Sequence, residues 1–171
     1  MIRPAKARDL ARIQAIYADA VEHGTASFEI DPPDLAEMTR RWKAVCAAGL
    51  PYVVAERDGK LAGYAYAARY RPRPAYRFSA ECSVYVDPAF FGVGLGSALL
   101  AEVIAQAGQA GYRQMIAVIG DSGNLASRRL HASLGFREVG TFEAVGFKHG
   151  RWLDTVMMQR ALGEGSRTDP S

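Results

Sequence analysis

The sequence predicts an α/β protein: one mixed β-sheet of about seven strands with helices on both faces. Three observations carry this expectation. Strand and helix patterns alternate along the chain in the order β-αα-β-β-β-α-β-α-β-β, as layered α/β architectures require. Asp58-Gly59 separates two apolar, strand-like runs, so part of the sheet is an antiparallel hairpin. A strand pattern over 81–86 runs through a glycine-rich loop into an apolar helical run.

Met1-Ile2-Arg3-Pro4 reads as a short first strand. Asp9 sits in the first turn of a helix whose Ile13, Ile16, Tyr17, Ala20 and Val21 share one face, and Gly24 ends it. The loop Thr25-Ala26-Ser27-Phe28-Glu29-Ile30 closes at Pro32-Pro33. Asp34 is placed to cap a second helix with the stripe Leu35, Met38, Trp42 and Val45, stopped by Gly49. Strands over 52–55 and 61–66 flank the Asp-Gly turn, and an arginine- and tyrosine-rich loop covers 69–77. In the next strand Val84 and Val86 alternate with Ser83 and Tyr85, until Asp87-Pro88 stops it. Gly92, Gly94 and Gly96 precede a helix that runs through Leu99, Leu100, Val103 and Ile104 towards Gly111. Met115 to Ile119 is almost wholly apolar, which predicts a strand covered on both faces. Asn124 to Leu134 reads as a helix ended by Gly135, Phe136 to Phe147 as a strand interrupted by glycines, and Trp152 to Arg160 as the last strand. Residues 1–162 form one expected domain, and 163–171 a polar, disordered tail.

The chain has 171 residues, enough for one sizeable core. Its 49% hydrophobic and 23% charged content is ordinary for a globular protein. A net charge of +3 is compatible with an anionic ligand and too weak to argue for nucleic acid. Cys46 and Cys82 make neither a disulfide framework nor a zinc site, so no metal is expected. The absence of a long apolar run or a signal peptide predicts a cytoplasmic protein without a membrane partner.

Three glycines ahead of a helix let backbone N–H groups approach a ligand at the positive end of the helix dipole, which suits a phosphate or pyrophosphate. The alternative is a strand-to-helix turn that needs glycine only for its backbone angles. Two familiar phosphate loops are excluded. No lysine follows as in a P-loop, and Ile116-Ala117-Val118-Ile119 lacks the acid of a dinucleotide fold.

With these motifs in this order, the chain resembles the GNAT acetyltransferase superfamily over about residues 1–162. The resemblance rests on the glycine loop and on Asn124-Leu125-Ala126-Ser127-Arg128-Arg129-Leu130-His131-Ala132-Ser133-Leu134-Gly135-Phe136. It implies acetyl-CoA as cosubstrate. Gly92, Val93, Gly94, Leu95, Gly96 and Ser97 would cradle its pyrophosphate. Val84, Tyr85 and Val86, with Asn124, Ser127 and Ser133, would hold the pantetheine arm, much as a sheet edge takes up a strand; the other reading of Asn124 is a helix N-cap. Arg73-Pro74-Ala75-Tyr76, Ala80 to Val86, Gly146 to Asp154 and Thr25 to Glu29 look like the phosphinothricin and methionine sulfoximine N-acetyltransferase branch. That branch acetylates the amine of small amino-acid-like molecules, and its members are commonly homodimers. Two positions depart from the superfamily pattern: Phe91 replaces a phosphate-binding Gln or Arg, and His131 replaces a frequent Tyr.

Acyl transfer from a thioester to an amine needs a base for the amine, a donor for the developing oxyanion and, for some substrates, a proton for the departing thiolate. Glu81 is the candidate base; its alternative role is an ion pair with a nearby arginine. The backbone N–H near Val84 is the expected oxyanion donor by resemblance. His131 is the candidate acid, or else a polar helix residue bonded to the cosubstrate. Arg71, Arg73, Pro74, Ala75 and Tyr76 are candidate acceptor-binding residues, Arg73 foremost, because guanidinium reads a carboxylate bidentately. Phe28 and Glu29 would close the pocket from the other side. Lys148, His149, Trp152 and Asp154 have no assigned chemistry and fit a dimer interface or a pocket wall. Two further readings share the motifs: an acetyltransferase acting on a protein N-terminus or an antibiotic amine, and a non-catalytic acyl-CoA-binding module.

Overall fold

The computed structural model describes residues 1–170. Its elements are β1 (Ile2–Pro4), α1 (Leu10–His23), α2 (Leu35–Ala47), β2 (Tyr52–Arg57), β3 (Lys60–Arg69), β4 (Ser79–Val86), α3 (Leu95–Gln109), β5 (Gln114–Gly120), α4 (Leu125–Ser133), β6 (Arg137–Lys148) and β7 (Arg151–Ala161). The seven strands form one sheet in the order β1-β2-β3-β4-β5-β7-β6. Every neighbouring pair is antiparallel except β4 and β5, which are parallel and joined through α3.

Local chemistry sets most boundaries. The Asp34 carboxylate accepts the Glu37 N–H, and Asn124 Oδ1 accepts the Ser127 N–H, so both act as N-caps. The β2–β3 turn holds Asp58 at φ 51° and Gly59 at φ 72°, the left-handed pair that a two-residue hairpin needs. A second turn of this kind, His149-Gly150, joins β6 to β7.

Side-chain alternation divides the sheet between the helices. Tyr52, Tyr64 and Tyr66 stack on one face, and Tyr85 meets Tyr17 of α1 edge-on at 5.0 Å. The opposite face presents Gly63, Ala65 and Ala67 to α3, whose Leu99, Leu100 and Val103 are completely buried. Helices therefore cover both faces, as the alternation of patterns predicts.

Two strands differ from expectation. β5 is buried at Met115, Ala117 and Ile119, but Val118 on its other face is 40% exposed, because no helix covers that stretch. β6 shifts register against β7 between Glu138 and Gly140 and again between Phe142 and Gly146. Asp154 holds the second irregularity by accepting the Ala144 N–H at 2.9 Å. Residues 163–170, expected as a disordered tail, carry turns and fold back on Arg113, just before β5. The Arg113 guanidinium donates there to the Gly165 carbonyl, Thr168 Oγ1 and the Asp169 carbonyl. Ser171 lies outside the described residues.

Candidate active site

The site begins where the sheet parts. β4 and β5 pair over four residues each, Ser79–Cys82 against Gln114–Ala117. Beyond them β4 continues to Val86 and β5 to Gly120 without pairing. The gap widens into a cavity of about 740 Å³. Its walls are Val84, Tyr85 and Val86, the glycine loop, Asn124, Ser127 and Leu130 of α4, and the C-terminal end of α1 with Gly24, Thr25 and Ala26. The narrow end reaches Cys82, Ser83, Val118, Gly120 and His131.

Gly92 and Gly94 take φ of 77° and 81°, a left-handed conformation that costs any residue with a Cβ. This backbone turns the loop into α3. No N–H from Gly92 to Ser97 donates to a protein acceptor among the described residues, and the first helical bond is Ala98 N–H to the Gly94 carbonyl. Six consecutive amides thus stand ready for a ligand at the N-terminus of a 15-residue helix. Gly92, Gly94, Leu95, Gly96 and Ser97 line the cavity. Val93 does not, nor does Ser133, which is exposed and donates its hydroxyl to the Leu130 carbonyl. Phe91 lines the rim and is 65% exposed.

Glu81 lies in β4 between Ala68 of β3 and Ile116 of β5. It shares the α1–α2 face with Ser83 and Tyr85. Its carboxylate is partly buried, and among the described residues it has no ion pair and no hydrogen-bond donor. Burial raises its pKa above the usual carboxylate range, and the positive charge of Arg71 partly opposes that rise. Arg71 itself stacks on the Tyr70 ring at 5.1 Å, and Tyr70 packs edge-on against Tyr76. Arg73 precedes a single 3₁₀ turn, Pro74–Tyr76, and is exposed without an ion pair among the described residues. Arg71 and Arg73 are both exposed, Arg71 alone acting on the Glu81 charge, and neither Glu81 nor Arg71, Arg73, Pro74, Ala75 or Tyr76 lines the cavity.

His131 is 4% exposed. Its Nδ1 lies 2.8 Å from the Ser127 carbonyl, which only accepts, so Nδ1 carries the proton. Nε2 of the neutral ring is then an acceptor, 3.7 Å from Cys82 Sγ. Burial lowers the imidazole pKa, so the ring is neutral around pH 7 and offers Nε2 no proton to give. Burial pushes the Cys82 thiol up to about 12, which favours the thiol over the reactive thiolate.

The loop after α1 brings Gly24, Thr25 and Ala26 to the cavity, whereas Phe28 and Glu29 do not line it. Glu29 accepts from Arg41 at 2.6 Å, and the Tyr17 hydroxyl lies 2.9 Å from Ser27 Oγ. Phe28 packs its ring over Gly120 and Gly146, bridging β5 and β6. Beneath it Lys148 donates to the Ser27 carbonyl at 2.8 Å, and burial pushes its ammonium below the ordinary lysine range. Spacing along the chain did not mark Ile16, Ala20, Gly24, Pro88 or Phe90 as cavity residues, because α1 and the loop after β4 meet the wedge only in three dimensions. The apolar periodicity of Ile16 and Ala20 identifies α1 as a helix but not what it faces.

A second hollow, of about 620 Å³, lies away from these motifs beside Arg3, Arg8, Arg12 and Lys60. Arg3 there pairs with both Asp9 and Glu56. Among the described residues no group of three or more His, Cys, Asp or Glu is placed to hold a metal ion, and no helix is long and apolar enough to cross a membrane.

The model of the acetyltransferase (GNAT) family matches residues 13–136. A phosphinothricin N-acetyltransferase of Alcaligenes faecalis is 56% identical over 169 residues, which cover 99% of this chain and 86% of that protein. An L-methionine sulfoximine/L-methionine sulfone acetyltransferase of Salmonella typhimurium is 40% identical over 168 residues, covering 98% of each. The crystal structure of a phosphinothricin acetyltransferase from Sinorhizobium meliloti, in complex with acetyl-CoA, superposes with a TM-score of 0.97 at 48% identity, over 100% of this chain and 92% of that one. On the strength of its parted sheet, its open helix terminus and these matches, the chain belongs to the GNAT acetyltransferase family and is an acetyl-CoA-dependent N-acetyltransferase.

Proposed function

We propose that the enzyme acetylates the primary amine of a small amino-acid-like acceptor of the phosphinothricin, methionine sulfoximine or methionine sulfone type. The observation that carries this reading is Glu81: a partly buried carboxylate, without a salt-bridge partner among the described residues, one residue pair before β4 and β5 part. A structural glutamate at this depth would need a partner, whereas a base needs a raised pKa and a free oxygen. The names of the two curated relatives supply the acceptor class.

The residues fit acetyl-CoA on two counts. Six unpartnered amides suit its diphosphate, and the unpaired stretch of β4 suits the amides of its pantetheine arm. Gly92, Gly94 to Ser97, Val84 to Val86, Asn124 and Ser127 would hold it; what it supplies is a thioester carbonyl open to attack by an amine. Glu81 takes the proton from the acceptor's ammonium group, directly or through one water. The backbone of β4 near Val84 offers an N–H to the carbonyl oxygen as negative charge grows there. Arg71, beside the base, attracts the acceptor's carboxylate, with Tyr76 and the Phe28–Glu29 loop bounding the space around it.

We place this chemistry in one domain, residues 1–162, in the cytoplasm, where the two free thiols stay reduced. The enzyme pairs with a second copy through β6 and β7, where Phe142, Val145, Phe147 and Trp152 stand exposed at the sheet edge. Sedimentation at micromolar concentration tests the pairing, and a monomer would end it. The function is tested by incubating the protein with acetyl-CoA and a panel of amines and following free thiol. Release with methionine sulfone, methionine sulfoximine or phosphinothricin is expected. Release only with peptides bearing a free N-terminus, or tight acetyl-CoA binding without any release, would overturn the assignment.

A further inference from the structure

The segment Gly146–Asp154 takes no part in the chemistry above, yet it converges on the loop after α1. An ideal Cβ at Gly146 would lie 2.4 Å from Phe28 Cε2, so only glycine lets that ring rest on β6. Lys148, 4% exposed, donates to the Ser27 carbonyl. His149 Nε2 lies 3.2 Å from the Gly24 carbonyl. Arg151 donates to Asp121 Oδ2, the same oxygen that accepts from Thr25 Oγ1. Four neighbours of one short turn thus reach Gly24, Thr25, Ser27 and Phe28 of a loop more than a hundred residues away in sequence, Thr25 through Asp121. That loop is a wall of both compartments: Gly24 and Thr25 line the large cavity, and Ala26 lines it and the narrow end beside Ser83 and His131.

We propose that Lys148 is a positioning residue for acyl transfer: through the Ser27 carbonyl it fixes the Thr25–Glu29 loop against the parted strands, so that the junction of cosubstrate and acceptor keeps its shape. This rests on the N-acetyltransferase reading. A lysine placed for packing alone would let its ammonium reach water. Here the head group is buried instead, and its one acceptor among the described residues is the backbone of that loop. A carbonyl in the middle of a loop has no sheet or helix partner to fall back on, so loss of the donor leaves it unpaired and loosens the segment between its anchors at Gly24 and Phe28. The six amides of the glycine loop lie elsewhere and keep their hold on the cosubstrate. The effect therefore falls on turnover and on the acceptor more than on acetyl-CoA affinity.

The test compares Lys148→Met, which keeps the side-chain length and removes the donor, with Lys148→Arg, which restores a cation. Amide hydrogen exchange over residues 24–30, acetyl-CoA Kd by calorimetry, and kcat and KM with methionine sulfone are measured for each. For Lys148→Met we expect exchange over 24–30 to quicken at least tenfold, kcat/KM for the amine to fall at least tenfold, and the acetyl-CoA Kd to change less than threefold. Lys148→Arg recovers part of the protection and part of the rate together. Protection at the wild-type level in Lys148→Met overturns the proposal, as does lost protection with wild-type kcat/KM. Should Lys148→Met fail to fold, Gly146→Ala, which displaces Phe28 from the same clamp, must show the same split, and wild-type kinetics there also overturn it. Exchange and Kd are read without turnover. If no amine is acetylated by the wild type, the functional reading fails, while unchanged protection in Lys148→Met would separately end the clamp.

Discussion

Gly63→Ala adds one methyl group where β3, β4 and α3 meet, and its cost can be worked from the structure. The new Cβ would lie 2.9 Å from the Tyr85 carbonyl oxygen, 3.2 Å from Leu99 Cδ1 and 3.2 Å from Val86 Cα. Two of these atoms are backbone of β4 and cannot rotate away, and Leu99 is fully buried. Carbon contacts settle at about 3.5–4.0 Å, so β4 and α3 must move apart by a few tenths of an ångström. Overpacking of this kind costs about 1–3 kcal/mol, offset by about 0.4–1 kcal/mol from the stiffer unfolded chain. For a chain of this length each kcal/mol shifts Tm by about 2–4 °C, so a fall of several degrees is expected. Because Val86 and the first turn of α3 wall the cavity, acetyl-CoA binding should weaken in step. Thermal melts with and without acetyl-CoA read both effects. Gly140→Ala is the control, since nothing lies within 4 Å of its Cβ, and its melt should hold or rise. A Gly63→Ala protein that melts and binds like the wild type would refute the packing argument that joins α3 to the sheet.

Four further predictions follow from single side chains. Glu81→Gln should lower kcat by roughly 10²–10⁴-fold while the melt stays put; turnover kept at saturating acceptor would remove Glu81 as the base. Since burial raises the Glu81 pKa and Arg71 opposes that rise, the acid limb of the kcat/KM profile should lie above the ordinary carboxylate range, and Arg71→Ala should move it higher still. A limb that stays in place or moves down would separate the two residues. Gly94→Ala forces a side chain into φ 81°, a strain of about 1–2 kcal/mol, and should raise the KM for acetyl-CoA; an unchanged KM would mean that the loop does not contact it. Asp9 is held below the usual carboxylate range chiefly by hydrogen bonds from Arg3, so it stabilises the fold above the unfolded carboxylate pKa, and that stability is lost as pH falls through the lowered folded value. Asp9→Asn should therefore flatten the acid side of the stability profile, and matching acid slopes in denaturant titrations of the two proteins would contradict this.

What the sequence made legible was local. The Asp34 and Asn124 caps reach three residues along the chain, and the Asp58-Gly59 turn needs only its own two dihedrals. Each could be read from residue type and spacing. The glycine loop was legible as an anion site for the same reason, since its amides and its helix are contiguous. The parting of β4 and β5 was not. An apolar run such as Met115–Ile119 reads as covered on both faces, and only pairing with distant strands reveals that Val118 opens onto a gap. β6 was blurred because its register shifts twice, and Asp154, which holds the second shift, lies across the hairpin. For His131 the residue type suggested a proton donor, but the Ser127 carbonyl, one helical turn back, fixes the tautomer. The C-terminal motif stayed unassigned because its partners lie on a loop near the other end of the chain.

The parted strands have a thermodynamic consequence. Four residue pairs are all that stitch β1–β4 to β5–β7 through the sheet, so the protein resembles two slabs sharing a short seam. A guest seated in the open part of that seam bridges the slabs and is absent from the denatured chain. At one hundred times its Kd such a guest adds about 2.7 kcal/mol to the folded state. The enzyme thus borrows part of its rigidity from the metabolite it consumes, and it is sturdiest when it is ready to react.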